Sequence, residues 1–222
     1  MRLQVVYDAK FKKKFGSKAR SNLDKIIAHT KTFFAHKSLG TTIFLNSLSP
    51  YFYDPKTYPP FSSGEKAFGK SVAKHVKAKT YPTADVYAAL SVQDDNESGG
   101  SSTQSGICMK DVSKRICIAR FNDNAITTAM ILTHELGHVL GMTHDFRLVG
   151  TEKAPKMIDR YDSKKKRCKG QRGFMDYITN ANKWSTCSVE DFIKFYNKIY
   201  TANGKVTLKR CHIHSSGTFQ SI

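Results

Sequence analysis

The sequence predicts a mixed α/β (α+β) fold, and three neighbouring stretches near its start support that prediction. β-branched and aromatic residues over 2–7 and 41–48 predict two strands. The stretch between them, 17–40, has apolar residues at close to helical spacing and ends on Gly40. A strand, a helix and a strand of this length predict a right-handed βαβ unit.

Further elements follow in chain order. A short basic helix is predicted to end near Lys79, and strands are predicted over 85–92 and 116–121. The apolar run over 122–141 then predicts a buried helix, with Asn124 as its N-cap.

The last third of the chain, 145–222, contains one clear helical pattern, over 188–200. Ser188 and Asp191 stand there at the spacing of a capping box, which predicts that the helix starts at Ser188. We expect the rest of this region to be irregular and cross-linked.

The chain is strongly basic. It holds 36 Lys and Arg against 18 Asp and Glu, a net charge of +18, and no apolar run approaches the length of a membrane span. Such a charge favours anionic partners such as heparan-type glycans or acidic surfaces, although a surface that only keeps the protein soluble is the alternative. Because the basic segments are not interleaved with aromatic residues as in a nucleic-acid-binding module, we predict no nucleic-acid partner. We also expect a monomer.

Five cysteines in segments that resemble loops or element ends predict a secreted, disulfide-bonded domain. Reduced cytosolic thiols are the alternative, and the odd number leaves at least one cysteine without a partner in the chain. The polar loop over 94–106 contains the only N-glycosylation sequon, at Asn96, which is usable only in a secreted protein.

The stretch HELGHVLGMTHD concentrates metal-binding side chains on a predicted helix and the turn after it. His134 and His138 lie one helical turn apart and can reach a single zinc ion. Glu135 is offset from the metal but can reach a water molecule beside it. Gly141 allows the chain to leave the helix through a left-handed turn, so that His144 can approach as the third ligand. Three protein ligands and an open position are typical of a catalytic zinc site.

This pattern resembles the metzincin zinc endopeptidases. Asp145, directly after the third histidine, narrows the resemblance to the adamalysin/reprolysin branch, which includes ADAM-type, ADAMTS-type and snake-venom enzymes. Met175, in GFMDY, matches the family's methionine turn, which implies that it packs as an apolar floor beneath the histidines. The resemblance also implies that Asp145 anchors the segment after His144 by accepting hydrogen bonds.

The resemblance implies a single metalloprotease domain over 1–222. An N-terminal lobe (1–144) would carry a twisted mixed sheet and the active-site helix, and a small irregular C-terminal lobe (145–222) would follow. Substrate would lie extended in the cleft between the lobes and pair with the sheet's edge strand, expected near 102–109. The walls of the pocket beyond the scissile bond would include Tyr177, Ile178 and Thr179.

The family's cysteine positions imply the disulfides Cys108–Cys211 and Cys168–Cys187 and leave Cys117 unpaired. Cys117 could be free, could bridge to a segment outside this sequence, or could replace Cys108 as a partner. The family's calcium site has no convincing acidic match in this sequence, so we do not predict calcium.

The resemblance therefore implies one catalytic Zn²⁺ and the hydrolysis of internal peptide bonds in protein substrates, with Glu135 as general base toward a zinc-activated water. We expect a secreted, mature catalytic domain, compact like small venom or salivary enzymes, which suggests a toxin. The rival hypothesis is a catalytically idle basic binding protein on a protease fold. A purely structural zinc module is a second rival. The presence of Glu135 and all three histidines favours the enzyme.

Overall fold

A computed structural model of the protein describes residues 1–53, 64–92, 99–107, 109–122, 124–151, 154–177 and 181–201. Five α-helices are described: α1 (Ala9–Phe15), α2 (Ala19–Phe34), α3 (Gly64–Lys77), α4 (Ala125–Val139) and α5 (Thr186–Thr201). Eight strands are described: β1 (Arg2–Tyr7), β2 (Asn46–Ser47), β3 (Tyr51–Phe52), β4 (Val86–Val92), β5 (Gly100–Ser102), β6 (Ile116–Phe121), β7 (Phe146–Thr151) and β8 (Ala154–Asp159). Within these ranges, no helix is both long and apolar enough to cross a bilayer.

Strands β1 to β6 form one sheet, in the order β2-β1-β4-β6-β5, with β3 also pairing with β1. All of these pairings are parallel except that of β5, which runs antiparallel to β6 and forms the edge. Because parallel strands need helical crossovers, this sheet is covered on both faces. The mixed α/β fold predicted from the sequence is confirmed.

Alternate residues of the central strands face two separate cores. Leu3 of β1 and Leu90 of β4 belong to the core shared with α1, α2 and α4, whereas Val6 and Tyr87 belong to the core shared with α3. This places α3 on one side of the sheet and α4, which contains the first two histidines of the motif, on the other. The edge strand β5 also contacts α4, so the sheet edge lies beside the motif.

The N-terminal βαβ prediction is correct in its parallel pairing but not in its bounds. The helix predicted over 17–40 is shorter, and a separate helix, α1, precedes it with the Asp8 side chain accepting from the amide of Phe11. Within the strand predicted over 41–48, the structure has only the short strand β2 and a single bridge residue, Ile43. β2 is the terminal strand beside β1, where only one side is available for pairing.

The C-terminal region is less irregular than predicted, because β7 and β8 form an antiparallel hairpin directly after Asp145. Nearly all of β7 after Phe146 is exposed to solvent. A strand that buries neither face has no alternation of apolar and polar residues, and the sequence therefore gave no strand signal there.

The last helix also begins earlier than predicted. Ser185, and not Ser188, supplies the capping oxygen, since its hydroxyl accepts from the backbone N–H of Ser188 at 3.1 Å. Asp191 does not complete a capping box but forms an ion pair with Arg160. The capping-box prediction at Ser188 is therefore wrong.

Candidate metal centre and cleft

Helix α4 presents the first two histidines with defined tautomers. Its N-terminus is capped as predicted, with Asn124 Oδ1 accepting from the amide of Thr127 at 2.9 Å. His134 Nδ1 lies 2.7 Å from the carbonyl of Phe174, and His138 Nδ1 lies 2.9 Å from the carbonyl of Met142. A carbonyl can only accept, so both Nδ1 atoms carry the proton and both Nε2 atoms are left with a free lone pair.

The third histidine reaches the same point through the turn after α4. Gly141 has φ +89, in the left-handed region, and an added β-carbon there would also lie 2.6 Å from the Phe195 ring. The chain reverses at this glycine and returns with His144, whose ring stacks on Phe146 at a centroid distance of 5.0 Å. The sequence-based role for Gly141 therefore holds, with the tight contact to α5 as an additional reason for glycine.

The three imidazoles converge as a metal site requires. The Nε2 atoms of His134, His138 and His144 lie 3.1–3.2 Å from one another. Three nitrogens bound to one tetrahedral zinc ion would be separated by about 3.3 Å. Burial lowers the pKa of all three histidines, to about 3 for His134 and about 4 for His144. The neighbouring His138 lowers the pKa of both His134 and His144 further. Three neutral, half-buried imidazoles whose Nε2 atoms converge on a common centre fit a divalent cation.

Glu135 faces the same cleft from the buried side of α4. It is 6% exposed, and the Ser102 hydroxyl on β5 donates to its Oε2 at 2.6 Å. Burial raises its pKa to about 7, an effect that the Ser102 hydrogen bond opposes. A β-carbon at Gly100 would lie 2.6 Å from Glu135 Oε1, so glycine is what allows the edge strand to approach this carboxylate.

Met175 lies beneath the histidine helix. It is fully buried, and a β-carbon at Gly137 would lie 2.5 Å from its Sδ. Gly137 stands between the first two histidines in sequence, so the close approach of Met175 positions the segment that carries both. The motif pattern did not assign a role to Gly137, although a glycine inside a helix is itself a signal of close packing.

Asp145 joins the third histidine to the methionine turn and to α5. Its backbone N–H donates to the Met175 carbonyl at 3.0 Å, and its Oδ1 accepts from the hydroxyls of Ser185 and Ser188. The carboxylate is completely buried, and this burial raises its pKa to about 6. The contacts are those expected of a residue that anchors the segment after His144.

Arg160, at the end of β8, is a second anchor that sequence analysis missed. Its guanidinium donates to the His144 carbonyl at 3.2 Å and to Thr143 Oγ1 at 2.6 Å, and it also pairs with Asp191. Asp191 accepts from the Thr143 backbone N–H at 2.9 Å. A lone arginine in a segment predicted to be irregular carries no sequence signal for such a contact.

The histidines and Glu135 line a cleft of ≈ 860 Å³. One wall is the edge strand β5, and the opposite wall includes Phe174, Asp176 and Tyr177. The edge strand predicted near 102–109 is observed at 100–102, because the chain after Ser102 turns and bonds to the C-terminal end of α4, with Ser105 N–H donating to the His138 carbonyl.

Tyr177, predicted as a pocket wall, is 60% exposed, and its ring lies 4.8 Å from that of His144. Burial of part of the side chain raises the pKa of its hydroxyl, with the charge of Glu135 adding to the effect. Ile178 and Thr179, the other two predicted pocket residues, lie outside the described residues.

The described cysteines comprise one disulfide in the C-terminal half of the chain and one free thiol in the central sheet. Cys168 and Cys187 form a disulfide that links the segment before the methionine turn to α5. Cys117 is free and buried in β6, and burial raises the pKa of its thiol well above the usual range. Cys108, Cys211 and the Asn96 sequon lie outside the described residues.

Comparison with known proteins agrees with this geometry. Residues 1–192 match a reprolysin-type family model described as "Metallo-peptidase family M12". No curated protein matches the chain. A solved structure titled "Structure of a chaperone-substrate complex" is similar in fold, with a TM-score of 0.54 at 11% identity. That match covers 88% of this chain but only 34% of the other. The family match spans most of the sequence, and the chain therefore belongs to metallopeptidase family M12, as a reprolysin-type metzincin catalytic domain.

Proposed function

We propose that the protein is a secreted zinc endopeptidase that cuts internal bonds of extended protein substrates. The observation that carries the proposal is the convergence of the Nε2 atoms of three histidines beside a buried glutamate in an open cleft. His134, His138 and His144 would hold the ion. When bound, zinc supplies Lewis-acid chemistry, which polarises a peptide carbonyl and acidifies a water molecule.

The chain's own groups supply the proton transfers and the alignment. Glu135 accepts the proton of the attacking water and delivers it to the amine of the departing product. The Ser102 hydroxyl holds one carboxylate oxygen and thereby orients the other. β5 is the edge of the sheet, so a substrate strand can pair with its backbone and align the scissile bond over the histidines.

Secretion, a toxin role and the division into lobes at residue 144 are parts of the same proposal. The Cys168–Cys187 disulfide supports an oxidising compartment, since such bonds are rare in the cytosol. The free Cys117 does not argue against it, because its thiol is completely buried.

Casein digestion with and without metal tests the proposal. We expect wild-type protein to cut casein, to lose activity with a chelator and to regain it with stoichiometric zinc. Glu135→Ala should be inactive although it still binds zinc, whereas Asp24→Ala, which removes an exposed carboxylate that does not line the cleft, should remain active. A folded, zinc-loaded wild type that cuts nothing would indicate the idle binding protein. Unfolding on chelation without any cleavage would indicate a structural zinc module.

A second binding function is favoured by a groove of ≈ 860 Å³ beside α5. We propose that it accepts anionic glycans. Its two carboxylates, Asp162 and Glu190, accept hydrogen bonds from backbone N–H groups of the same loop. The disulfide Cys168–Cys187 ties this loop to α5. The lysines that line the groove come from three segments: Lys164, Lys166, Lys183 and Lys194.

A further inference from the structure

The β7–β8 hairpin exposes apolar side chains, and every residue of β7 after Phe146 is exposed to solvent. Isolated exposed apolar residues are ordinary, but a cluster on one element indicates a contact surface. Four of the exposed large apolar residues in the described part of the chain lie on this ribbon: Leu148, Val149, Met157 and Ile158.

One face of the ribbon begins beside two residues that line the cleft, His144 and Tyr177. Phe146, at the start of β7, stacks on His144 and lies 4.8 Å from the Tyr177 ring. Side chains alternate along a strand, so Leu148 leaves the ribbon on the same face as Phe146. Met157 is the direct partner of Leu148 in the antiparallel register and shares that face.

The opposite face of the ribbon provides an internal comparison. Val149 is two positions from Arg147, and Ile158 pairs with Arg147, so Val149 and Ile158 share the face that points away from the cleft. Their exposed fractions, 41% and 38%, are close to the 52% and 49% of Leu148 and Met157. The two apolar pairs are therefore similarly exposed, but Val149 and Ile158 lie beside Lys156 and Arg147 and only the other pair shares the face of Phe146.

We infer that Leu148 and Met157 extend the substrate cleft and bind an apolar side chain of the protein substrate at a distance from the scissile bond. This inference rests on the proposed endopeptidase function. His144 and Phe146 are 5.0 Å apart between ring centroids, and Leu148 is about 7 Å further along the strand. An extended substrate advances about 3.3 Å per residue, so the contact falls roughly three to four residues from the cut.

The experiment compares substrates of two lengths. One bond cleaved in casein is rebuilt as a quenched peptide with two residues on each side, and as a longer peptide with six on each side. The variant Leu148→Thr/Met157→Thr removes the apolar face while keeping strand-forming residues, and Val149→Thr/Ile158→Thr is its matched control. We expect the first variant to cut the long peptide and casein with about tenfold lower kcat/KM, mainly through KM, and to cut the short peptide at the wild-type rate.

Several results would overturn the inference. An equal loss on both peptides, an equal loss in the control variant, or no loss at all would each exclude a remote substrate contact. A wild-type dimer that the Leu148→Thr/Met157→Thr variant converts to a monomer would assign the face to a second copy of the chain. Wild-type protein that cuts neither peptide nor casein would instead refute the endopeptidase function, and the inference with it.

Discussion

The contact between Met175 and Gly137 can be tested by enlarging the glycine and truncating the methionine, singly and together. Gly137→Ala places a β-carbon 2.5 Å from Met175 Sδ, inside a buried contact. Overpacking of this kind costs about 1–3 kcal/mol, whereas alanine gains about 1 kcal/mol over glycine within a helix. We expect a net loss of about 0–2 kcal/mol in the free energy of unfolding. Met175→Ala empties a fully buried site and should cost about 2–5 kcal/mol.

The double variant shows whether the two residues are coupled. The added β-carbon would point into the space that Met175 vacates, so the double variant should lose about 1–3 kcal/mol less than the sum of the single variants. Urea unfolding of the disulfide-intact protein at a fixed free zinc concentration measures these values. Gly137→Ala combined with Met130→Ala, on the same helix, is the control and should be additive within about 0.5 kcal/mol. Additivity of the Gly137 and Met175 substitutions would refute the packing argument.

Three further predictions concern residues around the metal site and in the groove beside α5. The Ser102 hydrogen bond lowers the pKa of Glu135, so Ser102→Ala should raise that pKa. The acid limb of the pH profile of kcat/KM should then move to higher pH. An acid limb that stays in place or moves to lower pH would contradict the contact. Arg160→Ala removes donors to His144 and Thr143, and chelator competition should show zinc binding weakened about tenfold or more, with the exposed Arg20→Ala unchanged. Equal zinc affinities would exclude an anchoring role for Arg160. Lys183→Gln/Lys194→Gln should elute from immobilised heparin at lower salt than Lys74→Gln/Lys77→Gln, which makes the same charge change on α3; identical elution would mean that net charge alone governs binding.

The metal site could be predicted from sequence because its geometry is local. His134 and His138 share a helix face by periodicity alone, and Gly141 predicts the turn that returns His144 to the other two histidines. The central strands β4 and β6 were equally predictable from the sequence, because strands buried on both faces have continuous runs of apolar residues.

The contacts that hold the site in place could not be predicted in the same way. Ser102 reaches Glu135 across 33 residues, and Arg160 reaches the His144 carbonyl from the end of a largely exposed hairpin. Such pairings depend on tertiary placement, and a single serine or arginine has many alternative partners in sequence. Close contacts at Gly100 and Gly137 are easier to predict from sequence. A glycine inside a strand or a helix is costly unless another group approaches closely.

The central claim is that Glu135 acts as a proton carrier beside a zinc ion held by three histidines. The most direct test is the kcat/KM of Glu135→Gln for the longer quenched peptide, measured on protein shown to contain one zinc per chain. The amide has the same size as the carboxylate but cannot accept the proton, so we predict that zinc stays bound and that kcat/KM falls by about 10²–10⁴-fold. A zinc-loaded Glu135→Gln protein that cuts the peptide at the wild-type rate would contradict the claim.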